Sequence, residues 1–165
     1  MDFSPGWLYK WCQQNDEWPG ESYDGTSALG LMKALKERGY ITEYRWAFDV
    51  ETITNWVLTS GPALFGSDWT LDMCRPSEDT GFISATGESV GGHQYMIVGV
   101  SVTKECPDGS RGAFRIVNSW GRGWGQYGRA WLSLRDAKKL LHNNGDCVTA
   151  KELDLDKDTA DWQGV

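Results

Sequence analysis

The sequence predicts an α+β chain, because segments with helical spacing precede segments with strand composition. Apolar residues recur at intervals of three and four residues between positions 28 and 35, and again between positions 50 and 57. From position 93 onward, β-branched and aromatic residues form short runs separated by turn-forming residues. Helices gathered in one part of a chain and an antiparallel sheet in another are typical of the α+β class.

Two helices are predicted in the first 60 residues. The first has three candidate N-caps, which are Asp24, Thr26 and Ser27. It carries its apolar residues on one face and ends at Gly39. The second begins after Asp49 and is stopped by Gly61 and Pro62. Each helix is expected to pack its apolar face into a core.

The later part of the chain predicts a β-hairpin, a further strand and a last helix. The hairpin strands are residues 93–102 and 113–117, and the turn-forming residues 104–111 lie between them. Residues 130–134 predict another strand, and residues 136–142 a short helix. His93 begins the first hairpin strand and Asn118 ends the second, so an antiparallel pairing brings them together across 25 intervening positions.

The segment Asn118-Ser-Trp-Gly-Arg-Gly-Trp-Gly-Gln-Tyr-Gly128, preceded by Gly91-Gly92-His93, resembles the His and Asn half of a papain-like cysteine peptidase site. In that family a Cys thiolate attacks an acyl carbon, a His shuttles the proton, and an Asn holds the imidazole in the right tautomer. The resemblance implies that His93 and Asn118 are the catalytic pair. It implies substrate-binding or site-shielding positions at Gly92, Trp120 and Trp124.

Other segments follow the order of the same family, in its bacterial and phage branch. They are residues 1–9, 17–27, 39–46, 60–66 and 145–147. The resemblance implies a papain-like fold with a barrel-like antiparallel sheet lobe and a reduced helical lobe. We expect residues 1–48 to be the remnant of the helical lobe, residues 49–150 the sheet lobe, and residues 151–165 an acidic tail.

The nucleophile segment of the family has no match in the sequence. Four cysteines are present, at positions 12, 74, 106 and 147, and none follows the family's Gln-x-x-x-Cys-Gly-Ser-Cys-Trp pattern. The family's nucleophile lies roughly 130 to 150 residues before its His, which here falls before Met1. The expectation is therefore a papain-like chain truncated after its nucleophile.

Two residues are alternative nucleophiles. Cys12 is the one cysteine near the N-terminus, but its surroundings, Trp7, Leu8 and Trp11, favour a buried thiol. Ser119 belongs, by the family pattern, to the loop that buttresses the Asn. A His and an Asn without a thiol have no covalent route to hydrolysis.

Three functions are compatible with these observations. The favoured one is a non-catalytic structural or interaction subunit of a larger assembly, such as a phage virion. The main alternative is an active cysteine peptidase whose Cys-bearing half lies on another chain or outside this sequence, and the third is a peptide-binding module that uses the old cleft. The expected partners are other protein chains that cover the face left by the missing N-terminal segment.

Composition narrows the class of protein. The 16 basic and 23 acidic residues give a net charge of −7, which argues against a nucleic-acid surface. The N-terminus has no secretory signal, and no apolar run is long enough to span a membrane. Localisation stays open between a virion and the cytoplasm.

Three further expectations concern metals, cysteines and the tail. Two histidines without a cysteine or carboxylate cluster predict no metal site, and no cofactor is predicted. A disulfide from Cys74 to Cys106 or to Cys147 stays open. The tail is expected to be anchored by three apolar residues, Leu153, Leu155 and Trp162.

Overall fold

The computed structural model describes residues 4–17 and 24–152, which fall into two compact units. The first unit contains the described residues up to Arg45 together with those from Ala150 onward, and the second is Trp46–Thr149. Four α-helices and seven strands in these residues confirm the α+β class. Parts of the predicted segments 1–9 and 17–27 and the tail anchors Leu153, Leu155 and Trp162 lie outside the described residues.

The first unit contains two packed helices and a strand. They are α1 (Pro5–Asn15), α2 (Ala28–Glu37) and β1 (Ile41–Trp46). The N-cap of α2 is Ser27, whose hydroxyl accepts a hydrogen bond from the Gly30 backbone N–H at 3.0 Å. A Cβ on Gly30 would lie 2.8 Å from the Cys12 carbonyl oxygen, so glycine allows α2 to approach α1 closely.

The second unit holds most of the sheet. Its elements are α3 (Val50–Thr59), β2 (Ala63–Thr70), a short 3-10 helix (Leu71–Cys74), β3 (Phe82–Ile83), β4 (Ser89–Glu105), β5 (Arg111–Val117), β6 (Arg129–Ser133), α4 (Leu134–His142) and β7 (Asp146–Glu152). The strand order is β7-β2-β4-β5-β6-β3. Strand β2 pairs antiparallel with β4 and with β7, β5 pairs antiparallel with β4 and with β6, and β3 pairs parallel with β6.

The end of β7 corrects the predicted start of the tail. Lys151 and Glu152 were assigned to the acidic tail but belong to this strand, whose residues from Ala150 lie in the first unit. There β7 is the neighbour of β1, and the Thr42 hydroxyl donates to the Lys151 carbonyl oxygen at 3.3 Å. Backbone pairing therefore orders residues that their composition alone assigned to a polar terminus.

The core of the second unit lies between the sheet and its helices. Fully buried side chains come from alternate positions of the strands, among them Phe65, Ile97, Phe114, Ile116 and Leu132. Ile53 of α3 and Ala137 of α4 join the same cluster. Such alternation is expected for strands with one face on the core. No helix in the described ranges is long and apolar enough to cross a membrane.

Three element boundaries differ slightly from the prediction. Strand β4 begins at Ser89, not at His93, because Gly91 and Gly92 pair with Trp69 and Asp68 of β2. Helix α4 begins at residue 134, so the predicted strand over residues 130–134 ends one residue earlier. The predicted hairpin between β4 and β5 is confirmed, with its pairing running to Glu105 and Arg111.

Candidate functional site

His93 and Asn118 meet on neighbouring strands of the second unit. His93 lies in β4, and Asn118 follows the last residue of β5, which pairs antiparallel with β4. The imidazole Nε2 lies 2.9 Å from the Asn118 side-chain oxygen Oδ1. This is a normal hydrogen-bond distance, and it confirms the predicted contact between the two side chains.

The surroundings of Asn118 fix the tautomer of His93. The Ser119 backbone N–H donates to Asn118 Oδ1 at 2.7 Å, which identifies that atom as the acceptor of the amide. His93 Nε2 therefore donates its proton to the same oxygen. In the neutral imidazole, Nδ1 then carries the lone pair, and no described residue hydrogen-bonds to it. The hydrogen bond to Asn118 thus leaves Nδ1 as the proton-accepting nitrogen of the neutral ring.

Aromatic rings enclose the imidazole. Trp120, two residues after the Asn, lies with its ring centroid 5.2 Å from that of His93. Trp69 of β2 is closer, at 4.8 Å, and meets the imidazole in an edge arrangement. The Tyr95 ring, two residues along β4, is stacked relative to the imidazole, with the two ring centroids 6.3 Å apart. Asn118 is itself buried, so its hydrogen bond to His93 is sheltered from water.

Trp69 and Tyr95 were not singled out from the sequence. Trp69 is 2% exposed, and its position in a buried strand carries no family motif. The Tyr95 hydroxyl hydrogen-bonds to the Ser67 hydroxyl at 3.1 Å, and burial raises the pKa of Tyr95 above its ordinary value. The alternation of β4 could have shown that Tyr95 shares a face with His93, but nothing local indicated which rings of β2 face them.

The loop after Asn118 holds Trp120 and Trp124 in different roles. Trp120 is 46% exposed and contacts His93. Trp124 is buried, and its ring contacts Trp69 and Trp120 while its indole N–H donates to the Cys74 carbonyl oxygen at 3.0 Å. Trp124 therefore contacts two of the rings that surround the imidazole, and its predicted shielding role stays a prediction.

The two glycines before His93 have open space where a side chain would lie. A Cβ on Gly91 or Gly92 would have no heavy atom within 4 Å. Packing therefore does not explain the small side chain at Gly92, and a ligand backbone has room to approach there. Its predicted substrate-binding role stays a prediction. A separate cavity of about 270 Å³, lined by residues 74–78 and 123–126, includes neither His93 nor Asn118.

The cysteines of the second unit are engaged away from the imidazole. All four cysteines of the chain are free thiols, so neither disulfide left open by the sequence is formed. The Cys74 thiol contacts the Thr70 carbonyl oxygen, and the Cys106 thiol contacts the Gly112 carbonyl oxygen. Cys147 is buried in the core, and desolvation raises its pKa to about 12.

Cys12 lies in the first unit as a buried thiol. It packs with Trp11 and Ala34, and the partly buried Leu8 lies against the same cluster, whereas Trp7 is 43% exposed and stacks on Trp11. Burial, with the nearby Asp16 carboxylate, raises the pKa of the Cys12 thiol. A raised pKa disfavours the thiolate that a cysteine nucleophile requires.

The described residues contain no group of three or more His, Cys, Asp and Glu side chains placed to hold a metal ion. The side chains that meet at the site carry the imidazole, the amide and the surrounding indole and phenol rings.

Comparisons with known proteins identify the fold. No protein-family model matches the chain, and no curated protein matches it. Among solved structures, xylellain, a cysteine protease from Xylella fastidiosa, matches 68% of this chain and 41% of its own at 22% identity and a TM-score of 0.50. Digestive procathepsin L 3 of Tenebrio molitor larval midgut matches 67% of this chain and 35% of its own at 18% identity and a TM-score of 0.51.

The structure of a clostridial cysteine protease after cleavage of its propeptide is similar to this chain to the same extent. It matches 68% of this chain and 30% of its own at 22% identity, with a TM-score of 0.51. The chain thus spans less than half the length of each of these three proteins. At such identities the likeness establishes architecture, and the chain has the papain-like fold of these cysteine proteases.

Proposed function

We propose that this chain is a papain-like interaction protein, a subunit of a larger assembly, whose His93 and Asn118 do not hydrolyse peptides by themselves. The observation that supports this is the placement of the thiols. Three cysteines share a unit with His93. Cys106 and Cys147 are buried, and the thiols of Cys74 and Cys106 each contact a backbone carbonyl oxygen. The fourth is packed against α2 and has a raised pKa.

The chemistry of cysteine peptidases explains why thiol placement matters. The attacking group is a thiolate, and it is activated by an imidazole within hydrogen-bond reach. His93 supplies an imidazole that is hydrogen-bonded to Asn118, but the thiols of Cys74 and Cys106 contact backbone oxygens. An imidazole and an amide alone leave the covalent step without a nucleophile.

The surface around the pair suits contact with another protein. Trp120 presents a large aromatic ring at 46% exposure and contacts His93, which follows the open backbone of Gly91 and Gly92. Exposed tryptophans are frequent anchors of protein interfaces, and a glycine backbone allows a partner main chain to come close. We propose that a partner chain binds there.

The test of the catalytic half of this proposal is a hydrolysis assay on the isolated chain. Wild-type protein is incubated with a diverse mixture of fluorogenic peptides and, separately, with a thiol-directed epoxide. The expected result is no turnover. We also expect no cysteine of the folded protein to react with the epoxide faster than the same cysteine does in denatured protein. The matched variants are His93→Ala and His142→Ala, since His142 is an exposed histidine on α4. Turnover that His93→Ala abolishes and His142→Ala preserves would overturn the proposal.

The alternative is a cysteine peptidase whose thiol comes from another chain or from residues outside this sequence. The observation that favours it is the tautomer of His93, because a lone pair held on Nδ1 is what a proton-accepting base requires. The assay separates the two functions when a thiol-bearing partner is added. Activity that appears only with the partner, and disappears in both His93→Ala and Asn118→Ala, would favour the alternative.

A further inference from the structure

The hydrogen bond to Asn118 does not by itself hold the imidazole in place. A single bond at Nε2 leaves the ring able to rock about the line that joins the nitrogen to Asn118 Oδ1. The contacts on the faces and edges of the ring must supply the remaining restraint. For His93 these contacts come from three aromatic side chains, Trp69, Tyr95 and Trp120.

The three rings differ in how firmly they are held. Trp120 is 46% exposed, and Tyr95 is the most distant of the three, at 6.3 Å. Trp69 is both the closest, at 4.8 Å, and 2% exposed. A fully buried ring on a central strand has few alternative rotamers, so it restrains a neighbour better than an exposed ring does.

Trp69 also joins the two parts of the site. Its ring lies 5.2 Å from Tyr95 on β4, and it lies 5.6 Å from Trp120 and 6.1 Å from Trp124 in the loop after Asn118. It therefore contacts the strand that carries His93 and the loop that follows its hydrogen-bond acceptor. We propose that Trp69 is a positioning residue, which fixes the orientation of the His93 ring and keeps it in register with Asn118.

The indole N–H of Trp69 indicates that packing of the ring, and not a hydrogen bond, keeps this side chain in place. This Nε1 is buried and has no hydrogen-bond partner among the described residues. A buried donor without an acceptor destabilises the fold, so the packing of the indole edge must offset that cost. Phenylalanine at this position would keep a flat ring and remove the unpaired donor, whereas leucine would remove the flat ring itself.

This proposal rests on the proposed function only because both concern the same site. Its test needs neither a partner chain nor hydrolysis of a peptide. The chain has two histidines, and the exposed His142 serves as an internal reference for nitrogen-15 NMR of the imidazoles. In wild-type protein we expect His93 in the Nε2–H tautomer, with that proton protected from exchange. In Trp69→Leu we expect mixed tautomers and exchange faster by about tenfold or more.

Two controls make the result specific to Trp69. Trp69→Phe should retain the wild-type tautomer of His93. Trp131 lies in β6 and packs on Phe82, so Trp131→Phe should leave the His93 signals unchanged. A folded Trp69→Leu protein with wild-type tautomer and protection would overturn the proposal. If Trp69→Leu does not fold, nuclear Overhauser effects in the wild-type protein provide the test. The absence of such effects between the Trp69 indole and the His93 ring would overturn the proposal. Peptide hydrolysis by the wild-type chain would refute the proposed function and leave this test unaffected.

Discussion

The buried polar atoms of the second unit differ in how well they are satisfied. Asn118 Oδ1 accepts two hydrogen bonds, from His93 and from the Ser119 backbone, while its Nδ2 has no partner among the described residues. The carboxylate oxygen Oδ1 of Asp146 is also buried without a partner in that part of the chain. Burial raises the pKa of the Asp146 carboxyl above its ordinary value.

The raised pKa of Asp146 predicts a pH-dependent contribution to stability. The folded state holds this proton more tightly than the unfolded state, so the stabilising contribution is complete below the usual Asp value of about 4. It is lost as pH rises through the raised folded-state pKa. Asp146→Asn should therefore gain stability relative to wild type as pH rises from about 4 to about 7, with no gain at the acid end.

Urea unfolding across that pH range measures this difference. Asp79→Asn, in an exposed carboxylate, is the control and should show a smaller pH-dependent change relative to wild type. A difference between wild type and Asp146→Asn that stays constant with pH would contradict the expectation.

At the scale of elements, side-chain caps define where three of the helices begin. Ser27, Asp49 and Ser133 each accept a hydrogen bond from a backbone N–H three residues later, at 3.0, 2.7 and 3.0 Å. These N–H groups have no partner within the helix, so a capping oxygen satisfies them. Ser133 has a second role, because its hydroxyl donates to Asp108 Oδ2 at 3.1 Å in the turn between β4 and β5.

We expect Ser133→Ala to destabilise the chain by about 1 to 2 kcal/mol. The substitution removes the cap of α4 and the hydrogen bond to Asp108, and Ser133 is 3% exposed, so water cannot replace either bond. Chemical denaturation provides the measurement. Ser60→Ala, in an exposed serine after α3, serves as the control and should change stability by less than about 0.5 kcal/mol. Equal effects of the two substitutions would show that the cap is unimportant.

At the scale of the whole molecule, the second unit exposes several large apolar side chains. Phe48 and Tyr127 are 82% and 80% exposed, and Trp120 adds a third aromatic ring beside His93. Exposed aromatic residues commonly mark interaction surfaces, and a net charge of −7 favours solubility without covering them. These features support the proposal that the chain works in an assembly.

We therefore expect the isolated chain to associate in solution. Sedimentation velocity should give a concentration-dependent mass above the 18.5 kDa of one chain. Trp120→Ala and Gly92→Leu should lower that mass, because one removes an exposed ring and the other adds a side chain to the open backbone that precedes His93. Gly6→Ala, where an added Cβ also meets no neighbour, is the control in α1. A monomer at every concentration would argue against the assembly.

The sequence by itself determined the local features of the site and of the helices. The Asn-Ser-Trp-Gly segment and the hairpin signals predicted the contact of His93 with Asn118, since an antiparallel turn brings those positions together whatever surrounds them. Asp49 likewise predicted one helix start, and Ser27 was one of three candidates for another, because capping acts within one turn of the backbone.

Only the tertiary structure decided which distant side chains surround the imidazole and where the thiols lie. Trp69 comes from β2, and its contact with His93 depends on the pairing and twist of strands far apart in sequence. The burial of Cys147 and the extension of β7 through Glu152 likewise depend on neighbouring strands. Such long-range packing is set by the sum of many contacts, so no local pattern at Trp69 or Cys147 encodes it.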